Sequence, residues 1–185
     1  MNKSSGFNIG LEAVAVITSV MYTWMYLKGI LPEAFIFAAV GAAAFTYLCY
    51  EKKIYAETAL QIFYVGFAVY GFFLNQYMEE PMVWDKAMHI KWLSLNATLT
   101  FALGFYLKSK TESKLPFLDA FTTVFSLGAT WMMINLIHEN WLYWIVIDTV
   151  AIALYFKRGL KFGALLYILY LFLAIDGYFE SISWF

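Results

Sequence analysis

Asn140-Trp141-Leu142-Tyr143-Trp144-Ile145-Val146-Ile147-Asp148-Thr149-Val150-Ala151-Ile152-Ala153-Leu154-Tyr155 reads as a membrane-spanning helix interrupted by a single carboxylate. An aspartate at the centre of a spanning helix costs about 2.5–3.5 kcal/mol on insertion scales, so it faces a protein interior or a wet cavity and not lipid. Asp148 is therefore the first candidate functional residue.

Composition extends that reading to the whole chain. Hydrophobic residues make up 63% and aromatic residues 21%, while only 14% are charged; soluble domains carry roughly 25% charged residues. A bilayer core of about 30 Å needs roughly 20 apolar residues per helix, and seven such runs follow one another at 9–28, 32–50, 55–77, 91–108, 115–136, 140–156 and 161–182. The expected fold is all-α and integral to the membrane, a single transmembrane domain over 1–185. Lys and Arg fall nine to three on the two sides of such a bundle, with Lys52, Lys53, Lys108, Lys110, Lys114, Lys157 and Arg158 among the nine. Cytoplasmic loops hold that excess, which puts the N-terminus inside and the C-terminus outside. Polar Met1 to Ile9 does not read as a signal peptide, and a lone Cys49 makes neither a disulfide nor a cysteine metal site within one chain.

The chain also repeats itself. The segment Leu48 to Phe73 recurs as Leu154 to Phe179, with identities at Leu60/Leu166, Ile62/Ile168, Tyr64/Tyr170, Ala68/Ala174 and Gly71/Gly177. Thr23-Trp24-Met25 recurs as Thr130-Trp131-Met132 with one residue of slippage. This predicts two three-helix repeats, 9–77 and 115–182, joined by a linking helix at 91–108. An odd linker gives both triplets the same orientation, a parallel repeat of the kind that places a transport site near mid-membrane.

Polar and aromatic residues fall into stripes at helical spacing. Asn140, Trp144 and Asp148 share one face of the sixth span with Trp141 beside them; Trp131, Asn135 and either His138 or Glu139 form another; Glu57, Gln61 and Tyr64 form a third. Such a set suits a flat aromatic ligand with hydroxyl groups, stacked on indole and phenol faces and held by amides and carboxylates. The plainer readings are that Trp84, Trp92, Trp141 and Trp184 anchor helix ends at the interface, that Asn135 is interhelical glue, that Asp148 meets a hydroxyl such as that of Thr130, and that Glu57 and Asp119 complement helix dipoles. His138 reads as a wet loop residue. Gly41, Ala42 and Gly128 mark close helix approach.

No Lys or Arg falls at the centre of a span, so the pocket suits a neutral or cationic molecule and not a phosphorylated one. The last span has no lysine for a retinal Schiff base, and no HExxH, GxSxG, Cys/His cluster or channel filter is present. Neither an enzyme, nor a cofactor, nor a metal, nor a nucleic-acid partner is expected.

With these residues in hand, the chain resembles the PnuC-type vitamin transporters. The likeness is carried by Asn140-Trp141-x-x-Trp144-x-x-x-Asp148, Leu154-Tyr155-Phe156-Lys157-x-Gly159-Leu160, Gly177 and Tyr55-Ala56-Glu57-x-x-Leu60-Gln61-x-x-Tyr64. The resemblance implies a three-plus-one-plus-three bundle, similar to SWEET sugar transporters but inverted in the membrane. It also implies facilitated uptake of an unphosphorylated vitamin across a bacterial inner membrane. Nicotinamide riboside is the first expectation, thiamine or riboflavin the alternative, and a cytoplasmic kinase would trap the vitamin by phosphorylation. The second span is small and apolar where the family often carries Trp or other polar residues, so the site leans on the second repeat. The candidate set is Trp131, Asn135, Glu139, Asn140, Trp141, Trp144, Asp148, Glu57, Gln61, Tyr64 and Tyr170. Expected partners are the vitamin, membrane lipids and that kinase; a homo-oligomer is also allowed. A membrane sensor or interaction subunit is the competing class.

Overall fold

The computed structural model describes the backbone of residues 3–51, 55–75, 82–157 and 161–181, and the side chains of 7–51, 58–75, 82–157 and 164–179. Seven helices follow one another: α1 (Lys3–Leu27), α2 (Ala34–Glu51), α3 (Tyr55–Leu74), α4 (Lys86–Lys110), α5 (Pro116–Ile134), α6 (Asn140–Lys157) and α7 (Lys161–Ser181). Among the described residues no strand forms, and the one β-bridge is an isolated parallel pairing of Met82 with Ile137. The turns at Lys52 and Arg158, together with Trp184 and the side chain of Glu57, lie outside the described residues.

The helices group into two compact units, α1–α3 and α4–α7. In the first, α2 packs on both α1 and α3; in the second, α5 packs on α4 and α6, and α6 on α7. By length and composition alone, three helices can cross a membrane among the described residues: Phe7–Leu27, Ala34–Glu51 and Pro116–Ile134. Thr58–Leu74 and Ala164–Phe179 are shorter apolar helices. The other two, α4 and α6, are less apolar because they bury Asn96, Thr100, Asn140 and Asp148 against protein, a pattern that mean hydropathy penalises and membrane bundles tolerate.

Helix ends follow local chemistry. Asp85 caps α4 by accepting from the Met88 amide at 2.7 Å, which starts the helix before its apolar run. Pro116 opens α5 at a position where no intrahelical N–H is lost. Asp119 accepts from the Ser113 hydroxyl at 2.6 Å, binding the preceding turn to the first turn of α5.

The α1–α2 and α5–α6 connections share their local geometry. Leu27 ends α1 and Ile134 ends α5; both helices close with the same six-to-one turn, Ile30 N–H to Met25 C=O and Ile137 N–H to Met132 C=O, each 2.9 Å. The left-handed residue this turn requires is Gly29, φ 65°, in one copy and Leu136, φ 51°, in the other. The helix starts Ala34 and Asn140, and the ends Glu51 and Lys157, then correspond at a separation one residue shorter. The slippage read in the sequence thus falls in the turn, where Leu31-Pro32-Glu33 stands opposite His138-Glu139. Burial corresponds as well: Met25, Tyr26 and Leu27 with Met132, Met133 and Ile134; Leu48 with Leu154; Ala68 with Ala174.

Glycines mark the tightest packing. A Cβ on Gly71 would sit 2.6 Å from the Phe35 ring, and one on Gly128 would sit 2.5 Å from Asn96 Oδ1. A Cβ on Gly41 would meet the Ser19 and Thr18 hydroxyls at 2.8 and 2.9 Å.

Candidate functional site

The second unit gathers most of the candidate residues. Asp148 is 2% exposed on α6, and no hydrogen bond or ion pair reaches it from any described residue. Tyr170 of α7 lies within electrostatic reach of its carboxylate. Two turns toward the helix start, Asn140 is buried with its Nδ2 donating to the Ile137 carbonyl at 2.6 Å and its Oδ1 unpartnered. Between them the Trp144 indole Nε1–H is also buried and unpartnered. The hydroxyl proposed as a partner for Asp148 is occupied elsewhere, since Thr130 Oγ1 donates to the Ser126 carbonyl at 2.8 Å.

The same unit holds an aromatic group on α4 and α5 that local spacing does not reveal. Trp131 of α5 stacks obliquely on Trp92 of α4, ring centroids 5.0 Å apart, and both meet Trp84, at 6.1 and 5.7 Å. Trp84 reaches the group because the chain before α4 pairs with the α5–α6 turn: Met82 N–H donates to Leu136 C=O at 2.8 Å and His138 N–H to Met82 C=O at 2.9 Å. Glu139 fastens the same segment. Its carboxylate accepts from the Trp84 amide at 3.2 and 3.3 Å and lies 3.8 Å from His89 Nε2, while His89 Nδ1 is 3.0 Å from the Tyr143 hydroxyl. The pairing holds Leu136 in the left-handed region, at a cost of about 1–2 kcal/mol for a residue with a Cβ, one residue after Asn135 and four before Asn140.

A family model described as nicotinamide mononucleotide transporter matches residues 9–184. The chain belongs to that family. It is a membrane transporter family, so these polar groups belong to a transport protein. Among relatives, the nicotinamide riboside transporter PnuC of Neisseria mucosa is 28% identical, over 94% of this chain and 71% of its own length. The protein of the same name from Escherichia coli is 21% identical, over 94% of this chain and 86% of its own. The crystal structure of a vitamin B3 transporter PnuC superposes with a TM-score of 0.76 at 24% identity, covering 94% of this chain and 80% of that one. That likeness concerns the fold.

Several sequence expectations change within this family member. Trp141 is no interface anchor: it is 4% exposed, in the first turn of α6. Trp84 and Trp92 are members of the Trp131 cluster and not lone belt residues. His138 is no wet loop residue; its ring stacks on Tyr178 of α7 at 5.3 Å, and burial holds its imidazole below the usual range against a smaller upward pull from Glu139. Asn135 caps α5, its Nδ2 donating to the Trp131 carbonyl at 2.8 Å, so it bonds within its own helix instead of gluing two together. Gln61 and Tyr64 belong to the first unit, where both are half-buried on α3 and engaged in interactions of their own.

Helices α1 and α2 supply an internal comparison for α5 and α6. The positions corresponding to Asn140, Trp141, Trp144 and Asp148 are Ala34, Phe35, Ala38 and Ala42, and each pair falls in the same burial class. Trp24, opposite Trp131, is exposed. At three of these four positions alanine stands where α6 carries Asn140, Trp144 or Asp148. The polar groups of α6 are additions that packing does not demand.

Proposed function

We propose that this chain carries nicotinamide riboside, unphosphorylated, into the cell across a bacterial inner membrane, with the N-terminus cytoplasmic and a cytoplasmic kinase trapping the vitamin. The observation that carries this reading is Asp148. It is the one buried acidic or basic side chain among the described residues, and it has no cationic partner there. A buried carboxylate without a counter-charge is costly unless the ligand supplies one, and a pyridinium ring carries that charge on a flat face that suits the neighbouring indoles.

The family description names a mononucleotide, whereas the relatives are named for the riboside. Charge favours the riboside. A phosphate adds about −1.5 to −2 at neutral pH, and no buried Lys or Arg among the described residues receives it. We take the chain to be two parallel triplets, α1–α3 and α5–α7, joined by α4; this rests on the shared turn and the corresponding helix ends. In the binding role we place Asp148, Asn140, Trp144, Trp131 and Tyr170, with Trp141, Asn135 and Glu139 positioning them. Glu57, Gln61 and Tyr64 stand as a separate candidate set on α3. Calorimetry on the purified protein tests the substrate with nicotinamide riboside, thiamine, riboflavin, nicotinamide mononucleotide and thiamine monophosphate. Binding of the riboside above all others is expected. Preference for either phosphate ester would overturn the charge argument, and preference for thiamine would move the chain to another substrate branch.

A further inference from the structure

The helix read from sequence as a linker carries polar groups that packing leaves unused. Trp92, Asn96, Thr100 and Gly104 recur every four residues along one face of α4, and that face lies on α5: Trp92 against Trp131, Asn96 against Gly128, Gly104 against Phe117. Asn96 returns its Nδ2 to the Trp92 carbonyl at 2.8 Å. On either side of it, Trp92 Nε1 and Thr100 Oγ1 are buried without any hydrogen-bond partner, about 12 Å apart along the axis.

Thr100 is the informative one. Thr18, Thr46, Thr98, Thr122, Thr130 and Thr149 each return their hydroxyl to the carbonyl four residues earlier, the usual resting place in an apolar helix. Thr100, 9% exposed, does not. An unmet buried donor costs about 1–3 kcal/mol, and each one calls for an explanation. Two further unmet atoms, Asn140 Oδ1 and Trp144 Nε1, lie on α6 in the same unit.

We propose that α4 is part of the substrate-binding surface, with the Trp92 indole N–H and the Thr100 hydroxyl held for polar groups of the transported molecule and the Trp92–Trp131 pair as an aromatic wall. The inference rests on the transport reading above and deepens it. Two indole donors, one amide acceptor and one hydroxyl call for a flat ring that bears an amide group and alcohol groups. That inventory suits an aromatic amide glycoside better than an amine-bearing or purely hydrocarbon ligand.

The test measures nicotinamide riboside binding and thermal melting for Trp92→Phe, which keeps an aromatic ring but removes the indole N–H and part of the ring volume, and for Thr100→Val, which keeps shape and removes the hydroxyl. Thr98→Val, on the exposed side of α4, is the control. Each α4 variant is expected to weaken binding about three- to tenfold; Thr100→Val keeps a melting temperature equal to or above that of the parent, because an apolar isostere relieves an unmet polar group, while Trp92→Phe lowers it through the cavity the smaller ring leaves; Thr98→Val binds as the parent does. Parent-like affinity in both α4 variants, while Asp148→Asn loses binding, would overturn the α4 assignment and leave the transport reading intact. A parent protein that binds no nicotinamide riboside would overturn both.

Discussion

Replacing Asp148 with asparagine separates charge from shape. The side chain keeps its size, and the corresponding position on α2 is a buried alanine, Ala42, so the fold has no need of a carboxylate there. With a ligand cation about 6 Å away and an effective dielectric constant near 20, the lost attraction is about 2.8 kcal/mol, or roughly 100-fold in affinity. Burial at 2% exposure keeps solvent screening small. The assay is binding of two ligands of nearly equal shape: nicotinamide riboside, which is cationic, and its reduced form, which is neutral. Asp148→Asn should weaken the cation by one to two orders of magnitude, leave the neutral form within about threefold, and leave the melting temperature unchanged or higher. Equal losses for both ligands would refute the electrostatic reasoning and make Asp148 a hydrogen-bonding group. A large fall in melting temperature would make it structural.

Three further outcomes follow from the packing. Gly128→Ala should cost about 1–3 kcal/mol, because the new methyl group meets Asn96 Oδ1 at 2.5 Å; combining it with Asn96→Ala should recover most of that in thermal melting, and a purely additive double variant would contradict the contact. Glu139→Ala should cost about 1–3 kcal/mol by leaving the Trp84 amide unpaired, seen as faster hydrogen exchange at that amide; unchanged exchange would show the segment is held without it. Because burial lowers the His138 pKa, the unfolded chain takes up the proton first as pH falls, so this residue's contribution is intact above the unfolded value of about 6.5 and declines below it. His138→Phe, which keeps a ring against Tyr178, should flatten the fall in melting temperature between pH 7 and pH 5; an unchanged slope would assign the fall to other groups.

The helices were legible because apolar runs of spanning length are a direct consequence of the bilayer, and the one-residue slippage in the internal match coincides with the turns that follow α1 and α5. Asp148, Asn140 and Trp144 stood out because a helix period places them on one face. Trp92 and Thr100 did not. Their face of α4 is defined by what α5 brings to it, above all Gly128 and Trp131, and no local period records that. Trp84 was hidden for a similar reason: its place depends on the pairing of Met82 with the turn at Leu136–His138, between segments more than fifty residues apart in sequence. Helix ends also moved outward from the apolar runs, to Lys3 for α1 and to Lys86 and Lys110 for α4, since the backbone continues its hydrogen bonds past the hydrocarbon boundary.

The alanines opposite the polar stripe bear on how such a protein changes its cargo. Ala34, Ala38 and Ala42 occupy sites of the same burial class as Asn140, Trp144 and Asp148, so α2 shows that a helix of this fold accepts small apolar side chains at such positions. A descendant can trade the residues of α6 one at a time, each step passing through a small apolar side chain that folds. On the proposed reading, substrate choice is then separable from architecture.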